Sequence, residues 1–266
     1  MKNSTNLNDY YILDKTDINN FWANGFIHLK NVLSKNEISF YRKEINKVAK
    51  KRFKNKEKEF GGAFYQALNI RFDSEEVEKF CLSKRLGKIA ADLMKVRAVR
   101  IFHEQAIFKH PGDTKSYWHQ DQFFWPLDTN LHIGMWMPLI DCTKDMGIMR
   151  FVKNSHTMGD LMGKSINEKS ENHYDKIIDE KKLEVFELES INAGDCTFHF
   201  GWTIHGAGLN KSDKIREAMV VTYYADGSRV GKLETKDRKG DAELFLGGKK
   251  AGEIANHPMN TVVYKS

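Results

Sequence analysis

Two histidine–carboxylate pairs in this sequence have the spacing of a metal-binding motif. One residue separates His119 from Asp121, and one residue separates His173 from Asp175. In an extended strand, residues i and i+2 point to the same side, so either pair can present an imidazole and a carboxylate to one ion. Two histidines and one carboxylate on one face of an octahedron bind iron(II) in non-haem oxygenases and leave positions open for co-substrate and oxygen.

The surroundings separate the two pairs. His119 lies in the segment YWHQDQFFWP, whose aromatic side chains can wall a pocket, and β-prone runs flank it on both sides. His173 lies in a polar stretch, 167–182, which offers nothing to exclude water and is predicted to be an exposed loop or lid. We therefore predict that His119 and Asp121 are metal ligands and that His173 is a surface residue.

His205 is the predicted third ligand. It lies in the segment WTIHGAG, just after the β-prone run 195–200, and the glycines that follow it allow close backbone approach. His199 competes for this role, but it lies within the strand pattern, where a packed core histidine is more common. Arg216 opens the next β-prone run, and a buried arginine there can bind a carboxylate of a 2-oxoacid through both prongs of its guanidinium. Taken alone, Arg216 is better explained as a surface arginine at the start of a strand than as a carboxylate-binding residue.

The elements that must position these residues change character along the chain. Thr16 is predicted to cap a helix that Gly25 ends, and Ser34 with Glu37 forms a capping box for the next helix. A further helix is predicted over 85–94. After Val96, short β-prone runs separated by turn residues recur at 99–109, 131–140, 147–152, 183–188, 195–200 and 216–224. This order predicts a mainly β fold with flanking helices, a double-stranded β-helix (jelly roll, cupin-like) core with an N-terminal helical region.

The composition indicates the class of protein. With 266 residues, of which 41% are hydrophobic, the chain is predicted to be one domain, with helical support over 1–95, a jelly-roll core over 96–230 and a C-terminal extension over 231–266. No run approaches the roughly 18 apolar residues of a membrane span. The first residues lack the apolar run of a signal peptide, and the three cysteines are widely separated. We expect a cytoplasmic monomer or homodimer without a membrane partner.

The net charge of +6 has a local component. Lysines and one arginine crowd a helix and its exit at positions 47, 50, 51, 52, 54, 56 and 58. Two glutamates interrupt this run and no stacking aromatics alternate with it, so we interpret it as a solvated helix face rather than a nucleic-acid site.

Several motifs together resemble the phytanoyl-CoA dioxygenase family of 2-oxoglutarate oxygenases. They are WHQD at 118–121, MWMP at 135–138, MGIMRFVKNSH at 146–156, and HGAGLN at 205–210 with Arg216. The resemblance implies a double-stranded β-helix core, iron(II) at His119, Asp121 and His205, 2-oxoglutarate and O2 as co-substrates, and the far carboxylate of 2-oxoglutarate on Arg216. It also implies that Trp136 and Gln105 line the co-substrate pocket, with Asn69 as a looser match.

The family pattern also shows where this chain departs from it. Many members carry a small hydroxyl residue two positions after the distal histidine, where it bonds the co-substrate, whereas this chain has Ala207. Thr222 or a water is the expected replacement donor. Related halogenases replace the carboxylate ligand with a small residue, so Asp121 favours hydroxylation or another oxidation over halogenation.

The predicted function is therefore an iron(II)- and 2-oxoglutarate-dependent dioxygenase that hydroxylates an unactivated C–H bond of a small-molecule metabolite and releases succinate and CO2. The side chains of Phe123, Phe124 and Trp125 are either a substrate wall or ordinary core packing. Two alternatives are a zinc hydrolase or isomerase on a cupin-like fold and a non-catalytic jelly-roll binding protein. The ligand residues do not choose among hydroxylation, desaturation, cyclisation and epoxidation, and the substrate stays open.

Overall fold

The computed structural model describes residues 7–54, 57–59, 62–162 and 166–266. Within these ranges, the helices are α1 (Lys15–Asn24), α2 (Lys35–Phe53), α3 (Glu75–Cys81), α4 (Lys84–Met94), α5 (Glu168–Lys181) and α6 (Lys236–Leu246). The strands are β1 (Phe26–Leu29), β2 (Tyr65–Leu68), β3 (Ala98–Lys109), β4 (Ser116–His119), β5 (His132–Pro138), β6 (Cys142–Thr143), β7 (Met149–Val152), β8 (Val185–Glu187), β9 (Ser190–Ile191), β10 (Cys196–Phe200), β11 (His205–Ala207), β12 (Arg216–Ala225) and β13 (Val262–Lys265).

Local capping signals place most of the helix ends. Helix α2 begins at the predicted capping box, in which the Ser34 hydroxyl and the Glu37 carboxylate each accept from the other's backbone N–H. Helix α1 ends at Gly25, as predicted, with a left-handed φ of 87°. Its predicted cap at Thr16 is wrong, because Asp14 caps the helix two residues earlier through its own capping box. A carboxylate accepts from the free N–H groups of a first turn at least as well as a hydroxyl does.

The stretch 167–182 is a helix, and its prediction as an exposed loop was wrong. Asn167 caps α5 by accepting from the backbone of Lys169 and Ser170. Only two large apolar side chains of α5, Tyr174 and Ile178, are buried. They are four residues apart and therefore lie on one face of the helix. So narrow an apolar stripe among charged residues looks like a polar loop in the sequence.

The strands form two facing antiparallel sheets. In the larger sheet the order is β1-β10-β5-β12-β3-β13. Strand β13 pairs with the first residues of β3, and β2 pairs with its last residues along the same edge. In the smaller sheet the order is β4-β11-β7-β8, and β6 pairs with β9 separately. This architecture confirms the predicted fold class. Strands from both ends of the chain, β1, β2 and β13, also join the larger sheet, although the sequence predicted helical support and an extension there.

Helices α1 to α4 pack on the outer face of the larger sheet and form the main core with it, whereas α5 packs on β4 of the smaller sheet. Two ion pairs tie helical segments to the sheet: Arg42 of α2 binds Glu217, and the buried Arg71 binds the buried Glu104. The basic positions of α2 face solvent; Lys58, beyond the helix, pairs with Asp113, and position 56 lies outside the described residues. Among the described residues, no helix is both long and apolar enough to cross a membrane.

Candidate active site

One cavity opens between the two sheets and collects most of the predicted site residues. The larger sheet contributes residues of β2, β3, β5, β10 and β12, and the smaller sheet contributes residues of β4, β7 and β11. The lining comprises Phe64, Gln66, Gln105, Ile107, Ser116, His119, Asp121, Trp136, Met149, Ile166, His199, His205, Gly206, Ala207, Arg216 and Val220. Polar groups therefore converge on a cavity whose remaining walls are largely apolar, as in small-molecule sites.

The sheet register brings the three predicted metal ligands together. His119 ends β4 and lies directly opposite His205 of β11, and Asp121 begins the short 3-10 turn that follows. Their nearest ligand atoms lie within 4.8 Å of one another. Asp121 Oδ1 is 3.4 Å from His119 Nε2, and its Oδ2 is 3.6 Å from His205 Nε2. The buried Gln120 amide holds the turn through bonds to the carbonyls of Gly159 and Trp202.

Backbone carbonyls orient both histidines of this group. The His119 Nδ1 atom lies 2.7 Å from the carbonyl oxygen of Tyr117, and the His205 Nδ1 atom lies 2.9 Å from that of Thr203. A ring that donates its Nδ1 proton to a carbonyl keeps the Nε2 lone pair free, and both Nε2 atoms face Asp121. Two neutral imidazole nitrogens and one carboxylate oxygen fit an octahedral iron(II) centre that leaves three positions for other ligands.

The protonation states that the site favours also suit a cation. Burial lowers the pKa of His205 well below its usual value, and the neighbouring His199 and His119 lower it further. Burial raises the pKa of Asp121, but the surrounding imidazoles of His205, His119 and His199 outweigh it and hold that pKa well below its usual range. The group therefore offers the Asp121 carboxylate beside a His205 imidazole that burial keeps neutral, the forms in which these side chains bind metals.

A fourth imidazole, His199, stands beside this group, and the sequence did not select it. Its Nε2 atom is 3.3 Å from Asp121 Oδ2, and its ring centroid is 4.2 Å from that of His205. Its ring packs against Gly134 on the next strand, where a Cβ atom would lie only 3.0 Å from Cε1. In the sequence, a histidine within a buried β-prone run is typical of core packing, so His199 gave no signal of a functional role. The pairing of β10 with β5 shows that its side chain lies beside Asp121.

Arg216 lies in the same cavity, fully buried, rather than on the surface. One terminal nitrogen donates to the carbonyl of Gly147, and Nε has no hydrogen-bond partner among the described residues. Its guanidinium lies 5.6 Å from the ring centre of Trp136, whose buried Nε1 also lacks a partner in the described part of the chain. Burial lowers the pKa of Arg216 to about 10, so it stays cationic at neutral pH. A buried cation with unused donors fits a carboxylate ligand.

The other predicted co-substrate residues divide between the cavity and its surroundings. Gln105 and Trp136 line the cavity, and Gln105 accepts a bond from Gln66, a lining residue that the sequence analysis missed. Asn69 lies outside the lining, at the left-handed start of a short 3-10 helix. Thr222, the expected replacement donor, also lies outside the lining. Its hydroxyl is hydrogen-bonded to the backbone N–H and carbonyl of His103.

The aromatic residues after Asp121 do not line this cavity. Phe123 and Phe124 are half-buried and contact each other edge-on, with ring centroids 5.1 Å apart. Trp125 is buried and stacks on His132 at 3.6 Å, so the core-packing interpretation describes its contacts. A role for Phe123 and Phe124 in a substrate wall stays a prediction.

The competing histidine–carboxylate pair lies elsewhere, on α5. His173 is exposed and contacts the carbonyl of Leu161, and Asp175 accepts from the indole N–H of Trp118 at 2.9 Å. His156 contacts the carbonyl of Trp22 and stacks on Phe200, away from the cavity.

The fold, the ligand group and the buried arginine have the arrangement that the sequence predicted for a 2-oxoglutarate-dependent non-haem iron oxygenase. More narrowly, the chain belongs to the phytanoyl-CoA dioxygenase family, whose profile, described as "Phytanoyl-CoA dioxygenase (PhyH)", matches residues 21–218. A curated relative, phytanoyl-CoA dioxygenase 1 of Oryza sativa subsp. japonica, is 27% identical over 143 residues, which cover 53% of this chain. The matched segment spans only 50% of that relative's length.

Solved structures share the fold over nearly the whole chain. The non-haem alpha-ketoglutarate-dependent carbocyclase SnoK from nogalamycin biosynthesis superposes with a TM-score of 0.79 at 21% identity, covering 94% of this chain and 96% of that one. The epimerase SnoN, in complex with Fe3+, alpha-ketoglutarate and nogalamycin RO, gives 0.77 at 19%, covering 94% and 98%. EctD from S. alaskensis, with 2-oxoglutarate and 5-hydroxyectoine, gives 0.72 at 15%, covering 95% and 93%. At these identities the likeness shows the fold.

Proposed function

We propose that this chain is an iron(II)- and 2-oxoglutarate-dependent dioxygenase that hydroxylates an unactivated C–H bond of a small-molecule metabolite. In this reaction the substrate C–H bond gains one oxygen atom of O2, and 2-oxoglutarate takes up the other as it becomes succinate and CO2. The observation that carries the proposal is the single cavity that holds His119, Asp121 and His205 at one place and the buried cation of Arg216 at another.

Each of these side chains has a separate task in the proposal. His119, Asp121 and His205 hold the metal, and the carbonyls bonded to the two Nδ1 atoms keep the imidazoles aimed at it. Arg216 binds the far carboxylate of 2-oxoglutarate, and the Trp136 indole N–H offers a second donor nearby. The chemistry that bound iron(II) supplies with 2-oxoglutarate is the activation of O2 for C–H oxidation.

The apolar lining has a protective task. Phe64, Ile107 and Val220 belong to one buried cluster beside the cavity. Such a wall excludes bulk water, which strengthens the interaction between Arg216 and an anionic ligand and limits side reactions of oxidising species. Chain 1–266 is proposed to act as one catalytic domain, since strands from its N- and C-terminal parts complete the sheet that carries the site.

Asp121 occupies the position that halide requires in a halogenase, so the ligand set favours hydroxylation or another oxidation over halogenation. The structural neighbours that are described as an epimerase and a carbocyclase show which other outcomes a product analysis must distinguish. A product that gains one oxygen atom is hydroxylated or epoxidised, an unchanged mass indicates epimerisation, and the loss of two hydrogens indicates desaturation or ring closure.

The first experiment measures co-substrate binding without turnover. The protein is purified without oxygen, loaded with iron(II) and titrated with 2-oxoglutarate while a weak absorption band in the middle of the visible range is recorded. We expect the band in the wild type and its loss in Asp121→Ala, which removes a metal ligand. In Arg216→Ala the half-saturating 2-oxoglutarate concentration should rise by roughly 100-fold, since losing one partner of a buried charge pair costs about 2–5 kcal/mol.

Arg216→Lys is the matched control, because it keeps the charge and loses the two-pronged geometry; it should fall between the wild type and Arg216→Ala. If iron binds and saturating 2-oxoglutarate produces no band in the wild type, the proposal fails, and a zinc enzyme or a binding protein explains the site better.

A further inference from the structure

The Ser116 hydroxyl lies at the arginine end of the cavity, and the sequence analysis did not select it. Ser116 begins β4 and lies directly opposite Ala207 of β11. Both residues line the cavity. No hydrogen bond to the Ser116 hydroxyl is recorded among the described residues, so this donor is available to a ligand.

An irregularity in β4 points Ser116 inward. His119 of β4 lies opposite His205 of β11, and Ser116 lies opposite Ala207. The two residues on β11 are two positions apart, whereas the two on β4 are three positions apart. This extra residue is a β-bulge, and bulges next to active sites redirect side chains. In a regular strand, Tyr117 rather than Ser116 would share the inner face with His119. The bulge therefore transfers the inward position from a tyrosine to a serine.

The pairing also determines which end of the cavity Ser116 occupies. His119 and His205 lie at the metal end, and the pair Ser116–Ala207 lies about 7 Å further along β11, at roughly 3.4 Å per residue. Gly208, the next residue, packs closely on Gly147, where a Cβ atom would lie only 2.2 Å from the Gly208 carbonyl oxygen. Gly147 is the residue whose carbonyl accepts from Arg216.

We propose that the Ser116 hydroxyl donates to the far carboxylate of 2-oxoglutarate beside Arg216, and so supplies from β4 the hydroxyl that Ala207 cannot supply from β11. The inference rests on the proposed function, since it names a further binding residue of the same site. Directly opposed residues of paired strands have Cβ atoms about 4.5–5.5 Å apart, so a hydroxyl at either position reaches the same space. Thr222 does not serve, because its hydroxyl already bonds the His103 backbone.

The test compares two ligands that differ only in the far carboxylate. Binding of 2-oxoglutarate and of 2-oxovalerate, in which a methyl group replaces that carboxylate, is measured by calorimetry on manganese(II)-loaded protein without oxygen. In Ser116→Ala, the Kd of 2-oxoglutarate should rise by about tenfold or more, as expected for a lost hydrogen bond to a charged group. The Kd of 2-oxovalerate should stay unchanged.

Moving the hydroxyl across the strands is the rescue experiment. The double variant Ser116→Ala/Ala207→Ser should regain most of the 2-oxoglutarate affinity. Ser39→Ala, at an exposed position of α2, is the control for serine removal. Thermal unfolding of each variant shows that it is folded.

The outcomes separate the two proposals. An unchanged 2-oxoglutarate Kd in Ser116→Ala, or an equal loss for both ligands, overturns the assignment of Ser116 while the proposed function stands. A manganese-loaded wild type that binds no 2-oxoglutarate overturns the proposed function and this assignment together.

Discussion

His199 Nε2 lies 3.3 Å from Asp121 Oδ2, closer to that carboxylate than the Nε2 atom of either predicted histidine ligand. His199 does not belong to the group of three whose ligand atoms all lie within 4.8 Å of one another. It is therefore placed to hold the carboxylate rather than the metal. Groups that orient a ligand in this way commonly change metal affinity by about 10–100-fold when they are removed.

We expect His199→Ala to raise the Kd for iron(II) by about 10–100-fold, measured by anaerobic competition with a chelator. His199→Gln, which can still donate to Asp121, should retain much of the affinity. His173→Ala, at an exposed position on α5, is the control and should bind iron as the wild type does. If His199→Ala binds iron normally, the contact is packing without a role in metal binding.

The ion pair between Arg71 and Glu104 should be a major contributor to stability. The side chains are 1% and 0% exposed, and Glu104 also accepts from the Arg71 backbone N–H at 2.9 Å. Glu104→Gln leaves a buried cation without its anion, so the free energy of unfolding should fall by about 3–5 kcal/mol in urea denaturation.

The matched comparison is the pair Arg52–Asp73, whose side chains are 47% and 35% exposed. Asp73→Asn should change the free energy of unfolding by less than about 1 kcal/mol. Similar losses for Glu104→Gln and Asp73→Asn would show that burial does not govern these pairs.

The lowered pKa of the buried Lys109 should make the stability of the metal-free protein depend on pH. Burial, with the nearby charge of Arg216 adding to it, lowers the pKa of Lys109 from 10.5 to about 6. Between these two values the unfolded chain binds more protons than the folded protein, so stability rises with pH across the window and is flat below about pH 6. The slope reaches at most about 1.4 kcal/mol per pH unit.

Lys109→Met should remove this slope, because methionine does not titrate. Lys109 Nζ also donates to the carbonyls of Thr114 and Gly208, and the loss of these bonds in the variant lowers stability at every pH without changing the slope. Urea denaturation at several pH values between about 7 and 9 provides the measurement, with Lys47→Met, at an exposed position of α2, as control. Parallel pH profiles for the wild type and Lys109→Met would contradict the prediction.

Helix α5 should be docked firmly through Glu171. This buried carboxylate accepts from the Trp118 backbone N–H at 2.8 Å and from Lys115 and Arg150 at 2.8 and 2.7 Å. In Glu171→Gln the two ion pairs are lost, so amide hydrogen exchange in α5 should accelerate while exchange in β12 stays slow. Glu180→Gln, which removes only an exposed pair with Lys176, should leave α5 protected. Fast exchange of α5 already in the wild type would favour a mobile lid.

The sequence alone determined the helix signals and much of the strand pattern, because these depend on neighbours within a few residues. The capping box of Ser34 and Glu37 is local, and so is the alternation of β-prone runs with turns. The same local reasoning failed for α5. Its docking depends on ion pairs of Glu171 with Lys115 and Arg150, which lie on other parts of the chain. Composition cannot show that a charged face will be buried when its partners lie far away in the chain.

For the site, the sequence alone selected His119, Asp121, His205 and Arg216, since their residue types and motifs carry a recognisable chemistry. Only the tertiary structure decided that these residues share one cavity, that His199 joins Asp121, and that Ser116 rather than Tyr117 faces inward. Register and bulges are properties of two strands together, and a shift of one residue reverses which side chains face the core. That information arises when β4, β10 and β11 meet their partners, and no single segment of the chain contains it.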